Sequence, residues 1–140
     1  MKNILIDAGP IISLYDKTDK FHLEIKNFLK PLNYQYIATW PVITEALHML
    51  SFNINIQIDL LTWISIGGIK LFDLNQNHIN RIIQLTEKYI DIPMDLADAS
   101  LIIASEELNC ERIISIDSDY EYYKNIRKKF IENIFKYKIN

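Results

Sequence analysis

Short apolar runs rich in β-branched residues recur at residues 3–7, 34–39, 69–73 and 112–116, and segments of helical periodicity separate them. A run that is apolar on both faces reads as a strand buried on both sides. Strands that alternate with helices pair in parallel, because each connection has to cross a face of the sheet. The expected fold is therefore α/β, a three-layer α/β/α arrangement around a central parallel sheet of about five strands. Residues 130–135 are expected to supply the fifth strand, at an edge.

The helices read as follows. Gly9 and Pro10 turn the first strand into a helix over residues 10–15, and residues 16–19 form a polar loop. Phe21, Ile25, Phe28 and Leu29 have helical spacing over residues 21–30, and Pro31 stops that helix. Pro41 suits the first turn of a helix over 41–52. Ile56, Leu60, Trp63 and Ile64 mark a helix over 55–66, closed by Gly67 and Gly68. Ile79, Ile82, Ile83 and Leu85 are expected to face inward from a helix over 76–90, and a last helix covers 95–108.

With 140 residues and no linker or repeat, the chain reads as a single domain over residues 1–140. No apolar run approaches the roughly 20 residues of a membrane span. Asp7, Gly9 and Pro10 interrupt any apolar core of a signal peptide. The lone Cys110 excludes an internal disulfide, fits a reducing cytoplasm and reads as a small buried hydrophobe. His22, His48 and His78 lack metal-ligand spacing and read as surface or packing residues. A net charge of −3 gives no global attraction to nucleic acid.

Four acids sit at the edges of apolar segments. Asp7 ends the first strand, Glu45 lies in Pro41-Val42-Ile43-Thr44-Glu45-Ala46-Leu47, Asp98 lies near the start of the 95–108 helix, and Asp117 follows the fourth strand. A carboxylate beside buried apolar surface is costly unless something compensates it. Parallel sheets bind ligands outside the carboxyl ends of their strands, and this topology brings all four acids to that edge. Packed carboxylates raise one another's pKa until a cation binds. Mg²⁺ and Mn²⁺ favour such all-oxygen sites and can activate water against a phosphodiester.

The segments Ile6-Asp7-Ala8-Gly9-Pro10, Thr44-Glu45-Ala46-Leu47, Pro93 to Leu101 and Ser115-Ile116-Asp117-Ser118-Asp119-Tyr120 resemble the motifs of PIN-domain (PilT N-terminus) ribonucleases of the VapC kind, in the family's order. The resemblance implies a five-stranded parallel sheet, Mg²⁺ or Mn²⁺ dependence, cleavage of single-stranded or structured RNA, and frequent homodimers. It also implies a toxin role with an antitoxin partner. Its acids map onto Asp7, Glu45, Asp98 and Asp117, as catalytic and metal-ligating residues, with Asp95 matching a further acid of many members. Ser115 replaces the family's usual Thr, and Tyr120 its usual Phe. A catalytically silent PIN-like module that binds RNA or protein is the alternative, although all four acids are retained.

Several of these residues have a plainer reading. Asp95 and Asp119 either ligate metal or cap helices, and Asp98 fits a helix's first turn although the site reading is preferred. Thr44 and Ser115 either orient a ligand or fill space. Leu47, Leu50 and Phe52 read as core, with some of the nearby apolar residues available for a dimer face. Residues 124–140 hold six basic residues, among them Lys124, Arg127, Lys128 and Lys129, against Glu132 alone. They form either a solvated surface or a track for an RNA backbone.

Overall fold

The computed structural model describes residues 1–117, 120, 123–125 and 131–135. Strands β1 (Lys2–Ile6), β2 (Tyr34–Ala38), β3 (Ile69–Leu71), β4 (Arg112–Ile114) and β5 (Glu132–Asn133) form one sheet in the order β3-β2-β1-β4-β5. Every pairing is parallel. Among the described residues, six α-helices connect the strands, giving the three-layer α/β/α fold: α1 (Ala8–Tyr15), α2 (His22–Leu29), α3 (Trp40–Met49), α4 (Ile54–Ser65), α5 (Ile79–Lys88) and α6 (Leu96–Leu108). A 3₁₀ turn, Gln76–His78, leads into α5.

The core follows from the runs that define the strands. Ile4, Leu5 and Ile6 of β1, Ile37 and Ala38 of β2, and Ile113 and Ile114 of β4 are buried. Ala97, Ala99, Leu101, Ile102, Ile103 and Ala104 of α6 are buried as well. This accounts for the apolar run Leu101–Ala104 at the middle of α6: a helix buried on most sides shows no wide polar stripe. Cys110 is buried and free.

Strand order 3-2-1-4-5 fixes where a ligand can bind. The chain leaves β1 toward β2 on one side and later returns to pair β4 on the other. The crevice beyond the carboxyl ends of β1 and β4 is thus the topological switch point of the sheet.

The expected elements differ from the observed ones at several places. Helix α1 begins at Ala8, directly on an Asp7 cap, so Gly9 and Pro10 lie within its first turn and make no separate turn before it. Proline is tolerated there because a first-turn N–H has no helical acceptor. In α5, Leu85 is buried and Ile82 half-buried, but Ile79 and Ile83 are 49% and 48% exposed, so half of the expected apolar face is turned to solvent. Leu50 is core and Leu47 half-buried, whereas Phe52 is 61% exposed, lying past the end of α3 where the chain turns. Met49, Ile54 and Ile58 are exposed beside it in sequence. Of the histidines, His78 is a packing residue: its ring accepts the Asn75 N–H and bonds Glu107. No helix among the described residues is long and apolar enough to cross a membrane.

Candidate active site

Asp7 is the first residue past β1, and its backbone N–H still donates to the Ile114 carbonyl of β4 at 3.0 Å. The Asp7 carboxylate is therefore held at the switch point by the sheet itself. Its Oδ1 accepts the Ala8 N–H at 2.8 Å, capping α1. Its Oδ2 accepts the Ser115 hydroxyl at 2.9 Å. Burial pushes the Asp7 pKa up to about 6, against these two hydrogen bonds, and the charges of Glu45 and Asp117 push the same way.

Ser115 ties the two central strands together at this edge. Its Oγ donates to Asp7 and accepts the Asp117 N–H at 2.9 Å. Asn133 of β5 grips the Ser115 backbone from the other side: its Oδ1 accepts the Ser115 N–H at 3.1 Å and its Nδ2 donates to the Ser115 carbonyl at 2.8 Å. A side chain thus continues the parallel ladder just where the strand ends. Asp117 is exposed at the rim.

Asp98 comes from α6. Asp95 and Asp98 form a reciprocal capping box, in which Asp95 Oδ1 accepts the Asp98 N–H at 2.8 Å and Asp98 Oδ2 accepts the Asp95 N–H at 3.3 Å. The second Asp98 oxygen, Oδ1, accepts the buried Tyr120 hydroxyl at 3.0 Å. Burial, then the charges of Asp95 and Asp7, raise the Asp98 pKa to about 8. Tyr120 is raised well above its usual range, first by burial and then by the Asp7 and Asp98 charges. Glu45, on α3, is raised by partial burial and by the charges of Asp95 and Asp117.

The charges of Asp7, Glu45, Asp95 and Asp117 accordingly act through space on Asp7, Glu45 and Asp98, although these acids come from four separate segments. Each carries the sign that the others resist, and the donor set is all oxygen. That chemistry fits a hard divalent cation. As the side chains stand, no three Asp, Glu, His or Cys residues among the described ones are grouped closely enough to enclose an ion.

Other candidates fall differently. The Thr44 hydroxyl donates to the Trp40 carbonyl within α3 at 2.9 Å, so it satisfies its own helix. Lys124 is half-buried, and its N–H donates to the Tyr89 hydroxyl at 2.7 Å. Asp119, Arg127, Lys128 and Lys129 lie outside the described residues. Sequence reasoning passed over Asn133 and the buried pair Thr39–Ser100, whose hydroxyls stand 2.5 Å apart and join the start of α3 to α6. It noted Tyr120 but gave its hydroxyl no task. No local pattern marks such partners; they meet only across the sheet edge.

No protein-family model matches the sequence, and no curated protein matches it. Among solved structures, the chain superposes on VapC20 of Mycobacterium tuberculosis, described as a toxin that cleaves the sarcin–ricin loop. The TM-score is 0.75 at 11% identity, over 85% of this chain and 93% of that one. The chain has a VapC-like PIN fold. In a PIN fold so built, Asp7, Ser115 and Asp117 stand at the switch point, while α3 and α6 bring Glu45 and Asp98 toward them.

Proposed function

We propose that the protein is a metal-dependent endoribonuclease, with Asp7, Glu45, Asp98 and Asp117 as its reactive carboxylates. One observation carries this reading: a buried carboxylate, Asp7, sits at the β1/β4 switch point under the field of two further acids, and the groups that hydrogen-bond it, the Ala8 N–H and the Ser115 hydroxyl, are both neutral. A structural acid would be expected to gain a cationic partner there; a metal ligand would not.

Asp7, Glu45, Asp98 and Asp117 would hold Mg²⁺ or Mn²⁺, with Asp95 and Asp119 as supplementary ligands. Bound there, the ion would neutralise charge on the phosphoryl group and lower the pKa of a water. The chain's own residues do the rest. Ser115 keeps the Asp7 carboxylate turned toward the crevice by donating to Oδ2. Tyr120 and the Asp95 N–H hold the Asp98 carboxylate in one orientation. The Thr39–Ser100 contact keeps α3, and so Glu45, in register with α6. Positioning of this kind matters because small misplacements of catalytic groups cost large factors in rate.

The biological reading is the toxin of a toxin–antitoxin pair, acting in the cytoplasm on single-stranded or structured RNA. The likeness to VapC20, a toxin that cleaves the sarcin–ricin loop, supports it. The exposed apolar residues Met49, Phe52, Ile54 and Ile58 support a homodimer that covers them. The basic residues Lys124, Arg127, Lys128 and Lys129 are the proposed phosphate track. The deciding assay is RNA cleavage in Mg²⁺, Mn²⁺ or EDTA, by the wild type and by Asp7→Asn. Metal-dependent cleavage that Asp7→Asn loses supports the reading. Binding without cleavage would make the protein a silent module instead.

A further inference from the structure

A cleft of 570 Å³ opens beside the acids, between the start of α3 and the start of α6. Trp40, Pro41, Glu45 and His48 line one side, and Asp95 and Leu96 the other. The volume lies within the roughly 300–1,000 Å³ of ordinary ligand sites. Its two largest apolar side chains are both exposed. Trp40 is 57% exposed and Leu96 50% exposed, and both lie within a residue of a helix cap. The chain's other indole behaves in the opposite way. Trp63 is half-buried, packs against Tyr15 and Tyr36, and lies so close to Gly68 that a Cβ there would overlap its ring.

An indole left in water at a cleft mouth has a free π-face. The cleft also contains two acids, and the Asp95 charge raises the Glu45 pKa. A wholly apolar ligand would strip water from those carboxylates without return. A nucleotide would not: its base offers a flat face to the indole, and its phosphate joins the carboxylates through a cation. A base inside a duplex has both faces covered, so only an unpaired base can reach such a seat.

We propose that Trp40 and Leu96 form the seat for one unpaired nucleobase of a single-stranded RNA, next to the phosphate that is cut. The inference rests on the nuclease reading for its phosphate, but its test is separate. Binding is followed by the anisotropy of an end-labelled strand, with tryptophan emission recorded alongside, in the wild-type protein with Ca²⁺ in place of Mg²⁺ so that the metal site stays intact and the strand uncut. The probes are a short single-stranded RNA, the same strand in a duplex, and the same strand with abasic sites. The single strand should quench the emission and bind. Adding Trp40→Ala should weaken binding about tenfold, the scale of one lost base–aromatic stack, while Trp40→Phe should stay close to the parent. The duplex and the abasic strand should bind as weakly to the parent as the intact strand does to the Trp40→Ala protein.

Equal affinity for the abasic strand, or no loss in Trp40→Ala, overturns the seat. So does the absence of binding, or an emission change that follows protein concentration alone, which would mean that a second copy covers the cleft. In the wild type, cleavage with KM unchanged by Trp40→Ala sinks the seat and leaves the nuclease. Quenching without cleavage by the wild type sinks the nuclease and leaves the seat.

Discussion

Asp7→Asn should invert the order of stabilities with pH in the metal-free protein. The folded-state pKa of Asp7 is about 6, raised by burial from a usual value of 3.8. A raised pKa means that folding favours the neutral carboxyl. Its stabilisation is complete below about pH 4 and is lost as pH rises through about 6. Holding the carboxyl at about 6 in place of 3.8 costs about 3 kcal/mol when the group is charged. Asparagine is uncharged at every pH and caps a helix as well as aspartate does. It has one acceptor oxygen where the carboxyl has two, so it turns an N–H toward the Ser115 hydroxyl, a loss of about 1 kcal/mol relative to the neutral carboxyl at any pH.

The variant should thus be about 1 kcal/mol less stable than the wild type near pH 4 and about 2 kcal/mol more stable at pH 8. For a domain of this size that gain is a rise of about 6 °C in Tm. Asp98 adds to it with the same sign, because removing the Asp7 charge removes one of the influences raising its pKa. Thermal or urea unfolding in EDTA across that pH range measures the crossing. A variant less stable than the wild type by the same margin at both ends would refute the argument that buried, uncompensated charge is stored at the end of β1.

Three other outcomes test neighbouring steps. Mn²⁺ added at pH 8 should raise the Tm of the wild type and leave that of Asp7→Asn nearly unchanged, since a ligand stabilises only the state it binds; equal shifts would place the ion elsewhere. Tyr120→Phe removes the hydroxyl that favours the charged form of Asp98, so the Asp98 titration followed by carbon NMR should move further upward; an unmoved midpoint would deny the contact. Ser100→Ala strands the buried Thr39 hydroxyl and should cost about 1–3 kcal/mol in urea unfolding, with less than half a kilocalorie showing that water replaces the bond.

The centre of the sheet was legible because β1 and β4 are short apolar runs rich in isoleucine, and parallel strands buried on both faces need no alternation to be recognised. Asp7 and Asp117 were legible for the same reason, since they end such runs. The apolar faces of α3 and α5 were less so. Helical spacing predicts which side chains share a stripe, but not how far the neighbouring elements extend along it. Ile79 and Ile83 satisfy the period and still face solvent, while Leu85, on the same helix, is core. Asn133 was hidden for a different reason. It is an ordinary polar residue in a two-residue strand, and its work appears only when β5 lies beside β4 and its amide meets the Ser115 backbone.

Asp95 and Asp98 bear on the opposition between capping and catalysis. The sequence alone poses these as rivals, and the reciprocal capping box is present. Yet an acid whose whole purpose is to cap is stabilised as an anion, because the N–H groups and the positive end of the helix both favour charge; its pKa falls. Asp98 accepts an N–H and a phenolic O–H and sits in the first turn of α6, and its pKa is nonetheless raised to about 8. The cap therefore undercompensates it. Burial and the Asp95 and Asp7 charges outweigh everything the helix supplies, leaving a need that the Asp95 N–H and the Tyr120 hydroxyl do not meet. A purely structural residue would have been relieved at little cost by exposure or by Asn, which keeps the cap. The two roles are better read as one arrangement. The capping box fixes where the carboxylates point, and the charge it fails to balance is what a divalent cation would bind.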